Sequence, residues 1–221
     1  MEGNYPIDDR NKVKRIPKRG HYDRETVYGI LNDAFLAHVS FMMDGQPFII
    51  PTAYGRRGDD LYFHGATTSR LLVALQTGIP TSVAVTHLDG IVLARSLFHS
   101  SMNYRSVVAF GTATLVEDAD EKMEALKIIS DQIMPGRWEE ARLPNPKEMK
   151  ATTVLKMKIE TASAKIRTGP PGDDKDDYQL PIWAGVLPCN LQYQDAQTDP
   201  DSIKDLPVSA SVITYYQSKI N

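Results

Sequence analysis

The sequence is nearly without sulfur chemistry: Cys189 is its single cysteine. One thiol excludes an intrachain disulfide framework and fits a reducing compartment. Long apolar runs are missing too. No stretch approaches the roughly 18–20 apolar residues that a membrane-spanning helix needs. The polar, acidic N-terminus has no hydrophobic signal core, so a cytoplasmic location is expected. Charge of one sign is not in excess: 25 Lys and Arg against 28 Asp and Glu leave a net −3. That balance gives no electrostatic footprint for nucleic acid or an anionic membrane. Neither a Walker loop nor a Gly-x-Gly-x-x-Gly turn occurs, which excludes P-loop and Rossmann phosphate sites. No Gly-x-Ser-x-Gly elbow is present to anchor a hydrolase triad. His21, His38, His64, His87 and His99 show no zinc-ligand spacing, so no metal is expected.

What is present reads as one mainly β domain with arms at both ends. Residues 1–22 form a basic arm, with six Lys and Arg between Arg10 and Arg19. Asp23 caps a helix over 24–34 whose Val27, Ile30, Leu31 and Ala34 share a face. Then the period changes to two. Residues 35–43 and 47–54 are strands joined at Asp44-Gly45, a strong hairpin signal. A turn cluster at 56–60 leads to a strand over 61–64. Residues 81–88 form another strand, closed by Asp89-Gly90, with a hairpin partner over 91–98. A loop at 99–105 precedes a strand over 106–116. Asp118 and Glu121 start a further helix as a capping box. Thr152 to Arg167 is a long strand, 168–177 a linker by composition, and 191–221 a polar tail with a docking stretch at 208–216. Strands at hairpin spacing with a few helices predict an antiparallel barrel with peripheral helices.

The chemistry concentrates in Leu61-Tyr-Phe-His-Gly-Ala-Thr-Thr-Ser-Arg-Leu-Leu-Val-Ala-Leu75. It reads as strand, small-residue turn and a helix opening near Thr67 or Thr68. Backbone N–H groups at such a start, with Ser69 and Arg70 beside them, suit an anion. A hydroxyl cap next to a solvated arginine explains the same letters. His64, at the strand end, reads either as a histidine bonded to backbone or as a ligand contact. Trp183, in the apolar segment 181–188, reads as a packing anchor or as a ring that stacks on a ligand.

Five stretches in order resemble the pyridoxamine 5′-phosphate oxidase-like FMN-binding split-barrel family, in its flavin-nucleotide-binding or nitroimidazole-resistance (Nim-type) branch. They are Gln46–Tyr54, Leu61–Arg70, Val92-Leu-Ala-Arg-Ser96, Ser101-Met-Asn-Tyr-Arg-Ser106 with Val107–Thr112, and Ala164-Lys-Ile-Arg-Thr-Gly-Pro170. The resemblance spans 13–190 and leaves the last thirty or so residues unmatched. It implies a homodimer with FMN in clefts at the subunit interface. Ser69 and Arg70 would grip the FMN phosphate, and Ile50, Pro51, Thr52 and Ala53 would border the isoalloxazine ring. Asn103, Tyr104, Arg105 and Ser106 would close the cleft from the other subunit, with Ser106 standing where the family has Gln. Trp183 joins the expected cofactor residues, and His64 is the catalytic candidate. The family's oxidase has lysines where Leu71 and the Thr52–Ala53 pair stand here, and its Arg-rich C-terminal segment has no counterpart. FMN binding therefore survives the comparison better than pyridoxamine phosphate oxidation. The expected function is a flavin-dependent oxidoreductase of a small molecule; the alternative is a non-catalytic flavin or haem binding protein.

Overall fold

A computed structural model describes residues 3–220; the first two residues of the basic arm and Asn221 of the tail lie outside it. The chain divides into two compact units. The first gathers Met1–Asp33, Ser82–Gly111 and Glu160–Asn190, and the second Ala34–Thr81, Thr112–Ile159 and Leu191–Asn221.

In chain order the elements begin with β1 (Gly20–His21), α1 (Arg24–Asn32), β2 (Leu36–Met43), β3 (Gln46–Ala53), β4 (Gly55–Arg57) and β5 (Asp60–Ala66). They continue with α2 (Arg70–Leu75), β6 (Pro80–Leu93), β7 (Ser101–Leu115), α3 (Ala119–Ile133), α4 (Arg137–Glu140) and α5 (Pro146–Ala151). The last are β8 (Thr152–Arg167), β9 (Gly185–Pro188) and α6 (Ala210–Ile220). The strands form one sheet in the order β3-β2-β6-β7-β8-β5-β4, with β1 on β8 and β9 on β6. Every register described is antiparallel. The path ends at β3 and β4 without closing, which is the open sheet of a split barrel.

In the first unit the basic run does not hang free. Tyr5 and Asn11 are buried, and the Asn11 amide donates to Thr161 Oγ1 and, at 3.0 Å, to the Ala162 carbonyl of β8. Arg10 pairs with Asp8 and Glu160, each at 2.9 Å. Asp23 caps α1 by accepting from Thr26 N–H at 2.8 Å. Two sequence expectations fail here. Asp89-Gly90 is no hairpin: β6 runs straight through it. The cause lies far along the chain, where β9 pairs Gly90 with Pro188 and Asp89 takes the Arg105 guanidinium. A Cβ on Gly90 would stand 3.0 Å from Val186 Cγ1, so glycine here admits a neighbouring strand instead of making a turn. The expected loop at 99–105 is likewise mostly strand, since β7 starts at Ser101.

The second unit opens with the expected hairpin: Asp44 and Gly45 have φ of 53° and 76°, the left-handed pair a two-residue turn requires. The cluster at 56–60 is a second hairpin, β4 to β5 around Gly58, and not only a turn. Gly55 touches α3: a Cβ there would lie 2.7 Å from Ile129 N and 2.8 Å from Ile128 O. Only glycine lets the strand come this close. Ala125 and Ile129 of α3 then bury against Tyr62, Val116 and Val154. Asp118 caps α3 through Glu121 N–H, but the reciprocal half of the expected box is missing, because Glu121 binds Lys156 at 2.5 Å instead. A complete capping box sits at α5, between Asn145 and Glu148.

Candidate functional site

The second unit assembles one half of the expected residues. After β5 the chain turns: Ser69 N–H donates to Ala66 O at 2.9 Å, and Thr67 N–H to Ala151 O at 3.2 Å. Those bonds hold both threonines in a turn, so α2 begins at Arg70, later than expected, with Ser69 as its N-cap. The Ser69 hydroxyl makes no capping bond. Arg70 is exposed and forms no ion pair among the described residues; its guanidinium lies 5.2 Å from the Phe48 ring centroid on β3. That stacking brings the start of α2 to β3, the strand that carries Ile50, Pro51, Thr52 and Ala53. β3 ends the sheet, pairing with β2 on one side only, so half of its backbone groups have no strand partner. β3 also approaches β5.

His64 lies on β5 opposite Val154. Its ring keeps open surface, yet the surrounding protein costs the imidazolium enough hydration to push its pKa below the ordinary histidine value. At pH 7 it is neutral, with one ring nitrogen donating and the other accepting.

The first unit holds the other half. Asn103 is buried; its Nδ2 donates to Gly169 O at 3.2 Å, and its Oδ1 accepts from Arg167 Nη1. Ser106 Oγ donates to Lys165 O at 3.3 Å. Arg105 is committed: Nε and Nη2 reach Asp89 at 3.2 and 3.1 Å, and Nη1 reaches Asp33 at 2.8 Å. The Asp89 carboxylate, helped by Asp33, raises its pKa further. Tyr104 is half-buried beside them. Trp183 is 67% exposed, with its indole over Gly185. Trp183 therefore packs on the Gly185 backbone and otherwise lies largely at the surface, so it anchors no core within this chain.

Two residues of the first unit escaped sequence reasoning. Arg167, only 7% exposed, closes β8 by donating to Asn103 and to the Gly169 and Pro170 carbonyls. Burial, with the like charge of Arg19 behind it, lowers its pKa. Its stretch was singled out, but nothing in the letters ties it to Asn103, sixty-odd residues earlier. Asp173 accepts from Arg95 N, Ser96 N and Arg95 Nη1, at 3.1–3.2 Å, which anchors the presumed linker. Burial raises its pKa, but these three donors outweigh that and leave it below the usual carboxylate value.

The open antiparallel sheet, whose path ends without closing, is that of a split barrel. The family model for pyridoxamine 5′-phosphate oxidase matches residues 23–166. The chain belongs to this family of flavin-binding split barrels. No curated protein matches it. Among solved structures it is similar to the flavocytochrome Anf3 from Azotobacter vinelandii, at 42% identity over 94% of this chain and 96% of that one, with a TM-score of 0.88. It is similar also to the FAD and heme binding protein from Mycobacterium smegmatis, at 39% identity over 89% and 96%, TM-score 0.85. A candidate 5-nitroimidazole antibiotic resistance protein from Bacteroides thetaiotaomicron shares the fold, at 21% identity over 66% and 86%, TM-score 0.57. No described helix is long and apolar enough to cross a membrane.

Proposed function

We propose that this protein is a homodimeric, cytoplasmic flavin-dependent oxidoreductase acting on a small molecule. The observation that carries the reading is the Ser69–Arg70 turn: a guanidinium without a carboxylate and a hydroxyl without a capping partner, stacked against β3. That donor set fits a phosphate monoester or diphosphate. The flavin, when bound, supplies the electron and hydride chemistry. Arg70 and Ser69 bind its phosphate. The open edge of Ile50–Ala53 offers backbone donors and acceptors that orient the ring's polar edge. His64, uncharged at pH 7, donates a hydrogen bond from one ring nitrogen and accepts one at the other without placing a positive charge there. Asn103, Tyr104, Arg105 and Ser106 of the partner subunit would close the cleft. The clamp of Arg105 by Asp33 and Asp89 gives it the role of holding that wall in place, not of binding phosphate. Trp183 leaves an open ring face to stack on the ligand.

FMN is what the family resemblance supports. FAD shares the same ring and first phosphate and is the form named for the mycobacterial relative. Chromatography of the cofactor released by acid decides between them. A second reading is favoured by the two relatives that match along nearly their whole length, a flavocytochrome and an FAD and heme binding protein: haem accompanies the flavin, and the protein passes electrons between them. A Soret band beside the flavin bands after expression with a haem precursor supports it, and its absence removes it. Anaerobic reduction of the bound flavin by NADH or NADPH separates an enzyme from a carrier.

A further inference from the structure

Beneath α6 the second unit leaves a cavity of about 480 Å³. Met134, Tyr193, Val208, Val212, Tyr215 and Ile220 supply half of its lining. It is not the gap under a loose tail, because α6 is moored at its first turn. Ser211 donates to both oxygens of Glu140, from N at 2.9 Å and from Oγ at 2.5 Å, and Arg137 Nη1 donates to Ser209 Oγ at 3.3 Å.

Gln194 and Gln217 belong to the lining as well, and the tyrosine hydroxyls in it are already paired. The Tyr193 and Tyr215 hydroxyls meet at 3.1 Å with their rings edge to face, centroids 5.5 Å apart. Tyr216 donates to Asp195 at 3.0 Å. Burial and the bond to Tyr193 push the Tyr215 phenol up to about 12, so it stays neutral. What the space offers a guest is aromatic and aliphatic surface. Ligand sites typically run from about 300 to 1,000 Å³ with mostly apolar walls.

We propose that this cavity is a binding site for a neutral, flat aromatic compound, held by stacking and edge contacts with Tyr193 and Tyr215. All of the lining except Met134 follows residue 190, beyond the family match at 23–166, so the site stands apart from the flavin reading.

The test is fluorescence titration of the full-length protein with 1-aminoanthracene, a neutral fused-ring probe. Saturable binding with enhanced emission is expected, weakened at least about tenfold, or ~1.4 kcal/mol, in Val212→Trp, which fills the cavity. A wild-type protein that shows no saturable binding overturns the proposal. So does a folded Val212→Trp that binds as the wild type does. Thermal unfolding reports whether that variant folds; Val208→Trp, which fills from the coil side and leaves α6 unaltered, stands in if it does not.

Discussion

The guanidinium of Arg70 lies 5.2 Å from the centroid of the Phe48 ring. One contact thus joins the turn that would hold a phosphate to the strand that would border the ring attached to it. The ring contact uses none of the arginine's five donors, which make no hydrogen bond among the described residues and suit an oxyanion.

Arg70→Ala should therefore weaken FMN and FAD by about 10- to 100-fold, the ~1.5–3 kcal/mol of a charge-assisted hydrogen-bond set. Riboflavin, which has no phosphate, should change little. Fluorescence-quenching titrations of the three ligands compare them directly, and equal losses for all would sink the phosphate role.

Gly55→Ala probes the contact between β4 and α3. Its Cβ would meet backbone, Ile129 N at 2.7 Å and Ile128 O at 2.8 Å, so no side chain can rotate out of the way. An overpacking cost of ~1–3 kcal/mol is expected, a fall of about 2–4 °C in Tm per kcal/mol for a chain of this size. A thermal melt equal to the wild type's would show that the approach relaxes freely.

Asp23 gives a pH dependence with a definite sign. Its carboxylate accepts from Thr26, first through the side-chain bond and then through the backbone, which holds its pKa below the ordinary aspartate value. A folded pKa below the unfolded one means that this stabilisation is present above the unfolded value and is lost as pH falls through the folded value. Asp23→Ala should cost about 1 kcal/mol at pH 7, and the gap from wild type should narrow below about pH 4. Denaturant midpoints at several pH values check it; a gap that widens on acidification would contradict the cap.

Local rules recovered much of this fold. The Asp44-Gly45 hairpin, the Asp23 cap and the bounds of β8 follow from signals a few residues wide, whereas the tail, read as polar with a docking stretch, carries the helix α6. Asp89-Gly90 carries the same letters as a hairpin turn and makes none, because β9, almost a hundred residues later, pairs with it. Glu121 was read as half of a capping box and went to Lys156, since a strand cation offers more than a single N–H. For the site, the letters around Ser69 and Arg70 suit a hydroxyl cap beside a solvated arginine as well as an anion, and the structure shows Ser69 at the N-cap without a side-chain capping bond. The Asn103–Arg167 bond and the Asp173 clamp were not legible, being made by residues sixty to eighty positions apart whose types suit a surface equally well. The Arg105 clamp was hidden too: Asp33 lies 72 positions away, and Asp89, 16 away, stands in letters that read as a turn.

The most direct measurement is the absorption spectrum of the purified full-length protein, before and after incubation with FMN and with FAD and removal of the unbound excess. A flavin spectrum that stays with the protein, retained by the wild type and lost preferentially from Arg70→Ala, is the expected result. A colourless preparation that takes up neither flavin would contradict the central claim.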